Sequence, residues 1–280
     1  MYDARVSASP DEPLRQWISR HRRVFALTGA GCSTASGIPD YRDEHGAWKR
    51  RPPVMIQAFR TRPAVYRRYW ARAYAGWPRF TAAAPGAAHH AFAAWEAAGT
   101  LAHLVTQNVD RLHQRAGSRA VVDLHDRLDE VLCLGCGART SRAELQETMT
   151  AANAGWHAAP ATAPDGDADI DAASVEAFAA PHCGRCGGLL KPDVVFFGEN
   201  VPAARYAAAR DALARCNALL VAGSSLMVYS GYRFVLQAQA AGVPIAIVNR
   251  GVTRADAMAA VKVEGDVGGV LTRVLSACRA

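Results

Sequence analysis

Six short apolar runs, at 24–28, 101–106, 121–124, 218–222, 244–248 and 261–263, punctuate a chain whose intervening stretches are alanine-rich or amphipathic. The runs have the length and β-branched content of strands. Stretches near 11–22, 63–75, 86–98, 202–216 and 231–241 carry helical periodicity or helix-forming composition. The alternation predicts an α/β fold on a mostly parallel sheet. Each run ends in small or polar residues: Gly29-Ala30-Gly31, Gln107-Asn108, His125, Gly223-Ser224-Ser225, Asn249-Arg250 and Gly265-Asp266. Ligands of open α/β sheets bind outside the carboxyl ends of the strands, so these residues are expected to line one cleft. Turn chemistry alone also ends strands this way.

The first strand end is the most specific of them. Residues 27–42, LTGAGCSTASGIPDYR, run from a strand into glycines and hydroxyl residues, a composition suited to close backbone approach to a phosphorylated ligand. Thr34 stands where a dinucleotide fingerprint has its third glycine, and no Gly-Lys-Ser/Thr follows, so neither standard phosphate motif is complete. An ordinary strand–turn–helix junction is the competing reading.

With 280 residues, half of them hydrophobic, the chain can bury one large core and a small satellite. No apolar stretch reaches membrane-spanning length, and the N-terminus has acids and a proline where a signal peptide needs its apolar segment. A cytoplasmic, membrane-free protein is expected. The net charge of +7 is unevenly spread: residues 42–79 hold ten Lys/Arg against Asp43 and Glu44. This marks either an anionic partner or solvated helix faces. Tyr66, Tyr69 and Trp70 at helical spacing read as packing, which does not favour nucleic acid.

Seven cysteines without a secretion signal argue against a disulfide framework. Cys133-x-x-Cys136 and Cys183-x-x-Cys186, each in a glycine-rich turn, suit a closed tetrahedral zinc site; two redox pairs are the alternative. Cys32, Cys216 and Cys278 are expected to pack as small apolar residues. Asp165, Asp167, Asp169, Asp171 and Glu176 have calcium-loop spacing, but Ile170 stands where the loop needs glycine, so they are read as solvated acids capping a helix.

The glycine segment, Thr106-Gln107-Asn108-Val109-Asp110-Arg111-Leu112-His113, Leu124-His125, the paired knuckles, Lys191-Pro192-Asp193-Val194-Val195-Phe196-Phe197-Gly198-Glu199 and Gly223-Ser224-Ser225-Leu226 occur in one order. Together they resemble the sirtuins, NAD-dependent protein deacylases, from about Val24 to Gly269. Gly31-Cys32-Ser33-Thr34 and Val228-Tyr229-Ser230-Gly231-Tyr232-Arg233 are most similar to the class II branch. The resemblance implies a Rossmann-like domain over 1–125 and 190–280, with an inserted zinc module over 126–189 and a helical insertion over 42–85 near the cleft. It implies NAD as cosubstrate, structural zinc, an acyl-lysine protein or peptide as partner, and a monomer.

It also implies roles. Gly29, Ala30, Gly31 and Ser33 would hold the NAD pyrophosphate, with Asp40, Tyr41 and Arg42 on a loop closing over the nicotinamide ribose. Gln107, Asn108 and Asp110 would hold that ribose and the carboxamide, an arrangement an amide and a carboxylate on alternate residues can serve. Asp110 as a helix cap is the plain alternative. Gly223, Ser224, Ser225, Asn249 and Asp266 match the adenosine side. His125 would be the general base, with Asn108 and Asp110 assisting, and His113 peripheral. Val195, Phe196, Phe197, Gly198 and Glu199 would form a strand edge for the substrate, or else an ordinary buried strand. The acyl group would pass from lysine to ADP-ribose as nicotinamide leaves.

One position departs from the pattern. Sirtuins usually carry glycine after the catalytic histidine, and here it is Asp126. Its carboxylate is expected to hinder acyl entry or raise the imidazole pKa, a backbone needing positive φ would suit aspartate less well than glycine, and Asp126→Gly is expected to raise turnover. ADP-ribosyl transfer to protein or water, or NAD binding with weak turnover, is the alternative activity. Tyr69-x-x-Arg72 fits an acyl chain ending in a carboxylate or simply a helix face.

Overall fold

The computed structural model describes residues 10–49, 53–157, 161–162 and 168–277. In chain order the first half comprises α1 (Glu12–Arg20), β1 (Val24–Thr28), α2 (Ile56–Thr61), α3 (Pro63–Ala82), α4 (Ala87–Ala97), β2 (Leu101–Thr106), α5 (Leu112–Arg115), β3 (Val121–Asp123), β4 (Asp126–Cys133) and β5 (Arg139–Ser141). The second half comprises α6 (Arg142–Ala152), β6 (Ala161–Thr162), β7 (Ala168–Asp169), α7 (Ala172–Glu176), β8 (Leu190–Val194), α8 (Ala203–Ala214), β9 (Ala218–Ala222), α9 (Tyr229–Ala240), β10 (Ile245–Asn249), β11 (Val261–Glu264) and α10 (Val267–Ala277).

The six apolar runs form one parallel sheet, ordered β11-β10-β9-β1-β2-β3. Every residue of β1, β9 and β10 is buried, as expected of strands covered on both faces. The period-two alternation divides them. Val24 and Ala26 pack with Trp17 of α1, Phe92 of α4 and Leu271 of α10, while Phe25 and Leu27 pack with Leu213 of α8 and Phe234 of α9. Each fully buried Phe or Leu contributes about 1.5–3 kcal/mol. The order reverses direction between β1 and β2 on one side and β9 on the other, which opens a crevice at the carboxyl ends.

A second core joins the helical segment to a three-stranded antiparallel sheet, β5-β4-β8. Phe59, Tyr66, Tyr69 and Trp70 from α2 and α3 pack with Val131, Leu145, Met149 and Leu190. Trp70 donates to the Leu190 carbonyl at 3.1 Å and Tyr66 to that of Pro181 at 2.6 Å. The aromatic stripe is therefore packing. Leu190–Val194, placed by the sequence reading in the larger unit, pairs instead with β4; its apolar residues suit either sheet, and periodicity does not name the partner. α3 runs to Ala82 through Pro78, longer than the expected 63–75.

Asp171 caps α7 by accepting from the Ser174 amide at 2.8 Å, in keeping with acids that cap a helix. Asp165, Asp167, Arg50, Arg51 and Cys278 lie outside the described residues. No described helix is long and apolar enough to cross a membrane.

Candidate active site

After β1 the chain makes two short 3₁₀ turns, Ala30–Cys32 and Thr34–Ser36, rather than a regular helix. The Gly31 amide donates to the Gly223 carbonyl at 2.8 Å. A Cβ at Gly29 would stand 2.8 Å from the Gly223 oxygen, and one at Gly31 would stand 2.8 Å from the Gly223 Cα. Sequence reasoning reserves these glycines for a ligand; the backbone after β9 already claims that space. Cys32 beneath the turn is buried, and burial pushes its thiol up to about 12.

Ser33 is the hub of a buried polar group. Its hydroxyl donates to Asp110 Oδ2 at 2.7 Å and accepts from Asn108 Nδ2 at 3.1 Å. The Asp110 Oδ1 accepts from the Leu112 amide at 2.9 Å, so this carboxylate, one residue before the cap, holds the entry to α5 and lines the cavity at once. Burial raises its pKa, against the lowering effect of these hydrogen bonds. Gln107 donates to Ser224 Oγ at 2.7 Å, tying the end of β2 to the end of β9.

His125 follows β3. Its Nδ1 lies 2.9 Å from the Gln107 carbonyl, which can only accept, so Nδ1 carries the proton and Nε2 presents a lone pair. The Ser230 hydroxyl lies 2.7 Å from Nε2. Burial, with the Arg205 and Arg233 guanidinium groups adding to it, lowers the imidazole pKa to about 4 despite the opposing bond to Gln107, so the ring is neutral at pH 7. His113 is bonded to Thr28 Oγ1 at 3.0 Å and is not among the lining residues.

One cavity of about 550 Å³ collects these groups. Its lining includes Gly29, Ala30, Gly31, Ser33, Asp40, Tyr41, Arg42, Gln107, Asn108, Asp110, His125, Gly223, Ser224, Ser225, Asn249 and Asp266. Val195, Phe196, Phe197, Gly198 and Glu199 line it too, but as a loop: β8 ends at Val194. Gly198 has φ +86°, and the Glu199 carboxylate accepts from the Phe196 amide at 2.8 Å and pairs with Lys191 at 3.0 Å, closing a turn where the sequence predicts a continuing strand. Asp40, Tyr41 and Arg42 enter a segment that folds on itself through Arg42 over the Trp48 ring, 3.8 Å away, and docks through the Val252 amide on the Glu44 carbonyl. Asp266 caps α10 through the Gly269 amide at 2.8 Å.

Away from this cavity, the Sγ atoms of Cys133, Cys136, Cys183 and Cys186 lie within 4.8 Å of one another. A tetrahedral ion with Zn–S bonds of about 2.3 Å sets sulfurs about 3.8 Å apart. The Cys133–Cys186 and Cys136–Cys183 separations are 3.5 and 3.8 Å. Amides of Gly135 and Cys136 point at the Cys133 sulfur, as they would at a thiolate. The donor set fits zinc.

Residues 29–230 match the family model described as Sir2 family. The chain belongs to the Sir2 family. It is 58% identical over 255 residues to NAD-dependent protein deacetylase 2 of Bradyrhizobium diazoefficiens, covering 91% of this chain and 93% of that protein. It is 50% identical over 252 residues to NAD-dependent protein deacetylase 1 of Streptomyces coelicolor, covering 90% and 84%. A solved structure described as "Sir2-p53 peptide-NAD+" superposes with a TM-score of 0.76 at 30% identity, over 95% of this chain and 97% of that one. A second, "Structure of Sir2Tm bound to a propionylated peptide", gives 0.76 at 29% identity, over 96% and 98%.

Within this Sir2 chain, Asp126 has φ +68°, in the region where glycine is at ease, and its carboxylate pairs with Arg205 of α8. It is not among the cavity-lining residues, and the imidazole beside it is shifted down rather than up. Of the objections the sequence raises to Asp126, the positive φ is present, while the carboxylate is paired with a guanidinium and is not among the cavity-lining groups. Tyr69 lines the cavity while Arg72 is not among the lining residues. Sequence reasoning missed Trp48, Ser230 and Arg233, which also line it. Ser230 is separated from His125 by more than a hundred residues, and only the parallel order of the sheet brings them together.

Proposed function

We propose that this chain is an NAD-dependent protein lysine deacylase, passing the acyl group of an acyl-lysine protein or peptide to ADP-ribose with release of nicotinamide. The observation that carries the reading is His125: a neutral imidazole that lines the cavity formed by six strand ends and whose Nε2, beside the Ser230 hydroxyl, carries the lone pair. The cavity suits NAD by size, by its location at the reversal of strand order, and by its convergent amide, hydroxyl and carboxylate groups. When bound, NAD supplies the ribose carbon from which nicotinamide departs and the hydroxyl that receives the acyl group.

The residues of the chain then have distinct tasks. Gly29, Ala30, Gly31 and Ser33 hold the pyrophosphate, and Asp40, Tyr41 and Arg42 cover the nicotinamide side. Gln107, Asn108 and Asp110 orient ribose and carboxamide; Ser33 and the Leu112 amide keep the Asp110 carboxylate aimed. Gly223, Ser224, Ser225, Asn249 and Asp266 serve the adenosine side. His125 accepts the ribose hydroxyl proton at Nε2 and returns it later, an exchange typically worth about 10²–10⁴ in rate. Phe196, packed on Tyr69, and the loop Val195–Glu199 sheath the acyl-lysine and exclude water. Zinc on the four cysteines is structural and fixes the knuckles against β4 and β8.

We place the enzyme in the class II branch, in the cytoplasm and as a monomer, with the sequence motifs, the bacterial relatives and the six free described cysteines in support. We read the six-stranded unit as the NAD-binding domain and the β5-β4-β8 unit with its helices as the smaller one. Nicotinamide release measured with and without an acetyl-lysine peptide tests the function. Release that requires the peptide and vanishes in His125→Ala is expected; peptide-independent release contradicts it and points to ADP-ribosyl transfer.

A further inference from the structure

Ser230 is the residue whose geometry is least explained by packing. It lies in the first turn of α9, lines the cavity, and its hydroxyl stands 2.7 Å from His125 Nε2. With Nδ1 committed to the Gln107 carbonyl, Nε2 has no proton to give, so the serine must be the donor. Both ring nitrogens of His125 are thus held: one by the backbone after β2, the other by α9.

The approach of α9 has its own cause. A Cβ at Gly231 would stand 2.5 Å from Gln107 Oε1, so glycine at this position lets the first turn of the helix close on Gln107. Gln107 in turn is fixed by Ser224 Oγ at 2.7 Å and accepts the imidazole N–H through its carbonyl. Gln107, Gly231, Ser230 and His125 form one closed unit in which the ring plane is set from both edges.

We propose that Ser230 is a positioning residue for His125. Its O–H occupies the Nε2 lone pair in the free enzyme, holds the ring in the orientation and tautomer that a ribose hydroxyl requires, and gives way when that hydroxyl arrives. After proton transfer the same oxygen has lone pairs to accept from the imidazolium Nε2–H, so the contact serves both states of the ring. The inference rests on the reading of His125 as the general base.

Ser230→Ala tests it in the full-length enzyme with NAD and an acetyl-lysine peptide. We expect kcat to fall about tenfold, a part of the gain that general base catalysis supplies, with KM for NAD unchanged and Ser230→Thr restoring most of the loss. The ¹⁵N resonance of His125 Nε2 is expected to move from that of a hydrogen-bonded acceptor to that of a free one in Ser230→Ala. Native kcat in the alanine variant, or a loss of kcat with the Nε2 resonance unmoved, overturns the inference. His125→Ala run alongside separates the two levels: retained turnover there rejects the base assignment itself, whereas His125-dependent turnover indifferent to residue 230 rejects only the role of the serine.

Discussion

Asp126 shows how one side chain answers for its backbone. Its φ of +68° carries a cost that aspartate bears better than most residues, and its ion pair with Arg205, both groups partly buried, offsets that cost. Removing the carboxylate leaves the guanidinium without this partner. Asp126→Ala is expected to lose about 1–3 kcal/mol of stability by urea unfolding, and Asp126→Gly to recover about 1 kcal/mol of that through the freed backbone. A glycine variant less stable than the alanine variant contradicts the account. Because the carboxylate faces Arg205, Asp126→Gly is expected not to raise turnover, which a steady-state deacylation assay checks.

Elements meet at two places where glycine decides the fit. Gly223 has φ +62°, and a Cβ there would stand 2.6 Å from the Cys32 amide nitrogen, whereas Gly242, with φ +66°, has open space. Gly223→Ala is therefore expected to cost about 2–4 kcal/mol, adding overpacking to backbone strain, and Gly242→Ala about 1 kcal/mol from the backbone alone. Thermal unfolding of the pair checks this, and equal losses contradict it. The knuckles act at the same scale: one zinc per chain is expected by elemental analysis, and Cys183→Ser is expected to lower the Tm by loosening the sheet that Cys133 and Leu190 share.

The strands were legible in the sequence because apolar runs such as Ala218–Ala222 are buried on both faces, and nothing but a central strand needs five such residues between turns. The strand ends, with Gly29, Gln107, His125 and Gly223, followed from that. Residues 195–199 were not, because β-prone aromatic residues look alike whether they continue a ladder or pack Phe196 onto Phe59 and Tyr69. Nor did sequence indicate that Gly29 and Gly31 meet Gly223, since contact between two loops leaves no periodicity.

At the scale of the whole molecule, three histidines link stability to pH. Burial lowers His89 to about 4, His113 to about 3 and His125 to about 4, from an ordinary 6.5. The unfolded chain binds their protons first, so the stabilisation is complete above pH 6.5 and is lost as pH falls toward 4. Each histidine contributes a slope of up to about 1.4 kcal/mol per pH unit. The carboxyls of Asp110 and Asp123, raised by burial, act in the opposite sense, while the unfolded imidazoles take up their protons across the interval from pH 7 to 5. Denaturant midpoints are expected to fall across it, and a flat profile contradicts the burial of neutral rings.

The same sheet order brings six strand ends to one cavity, and this cavity transfers an acyl group rather than merely cleaving NAD. Mass spectrometry of a single reaction with NAD and an acetyl-lysine peptide decides it. One nicotinamide, one free-lysine peptide and one acetylated ADP-ribose per turnover are expected; free acetate with unmodified ADP-ribose, or ADP-ribose attached to the peptide, contradicts acyl transfer.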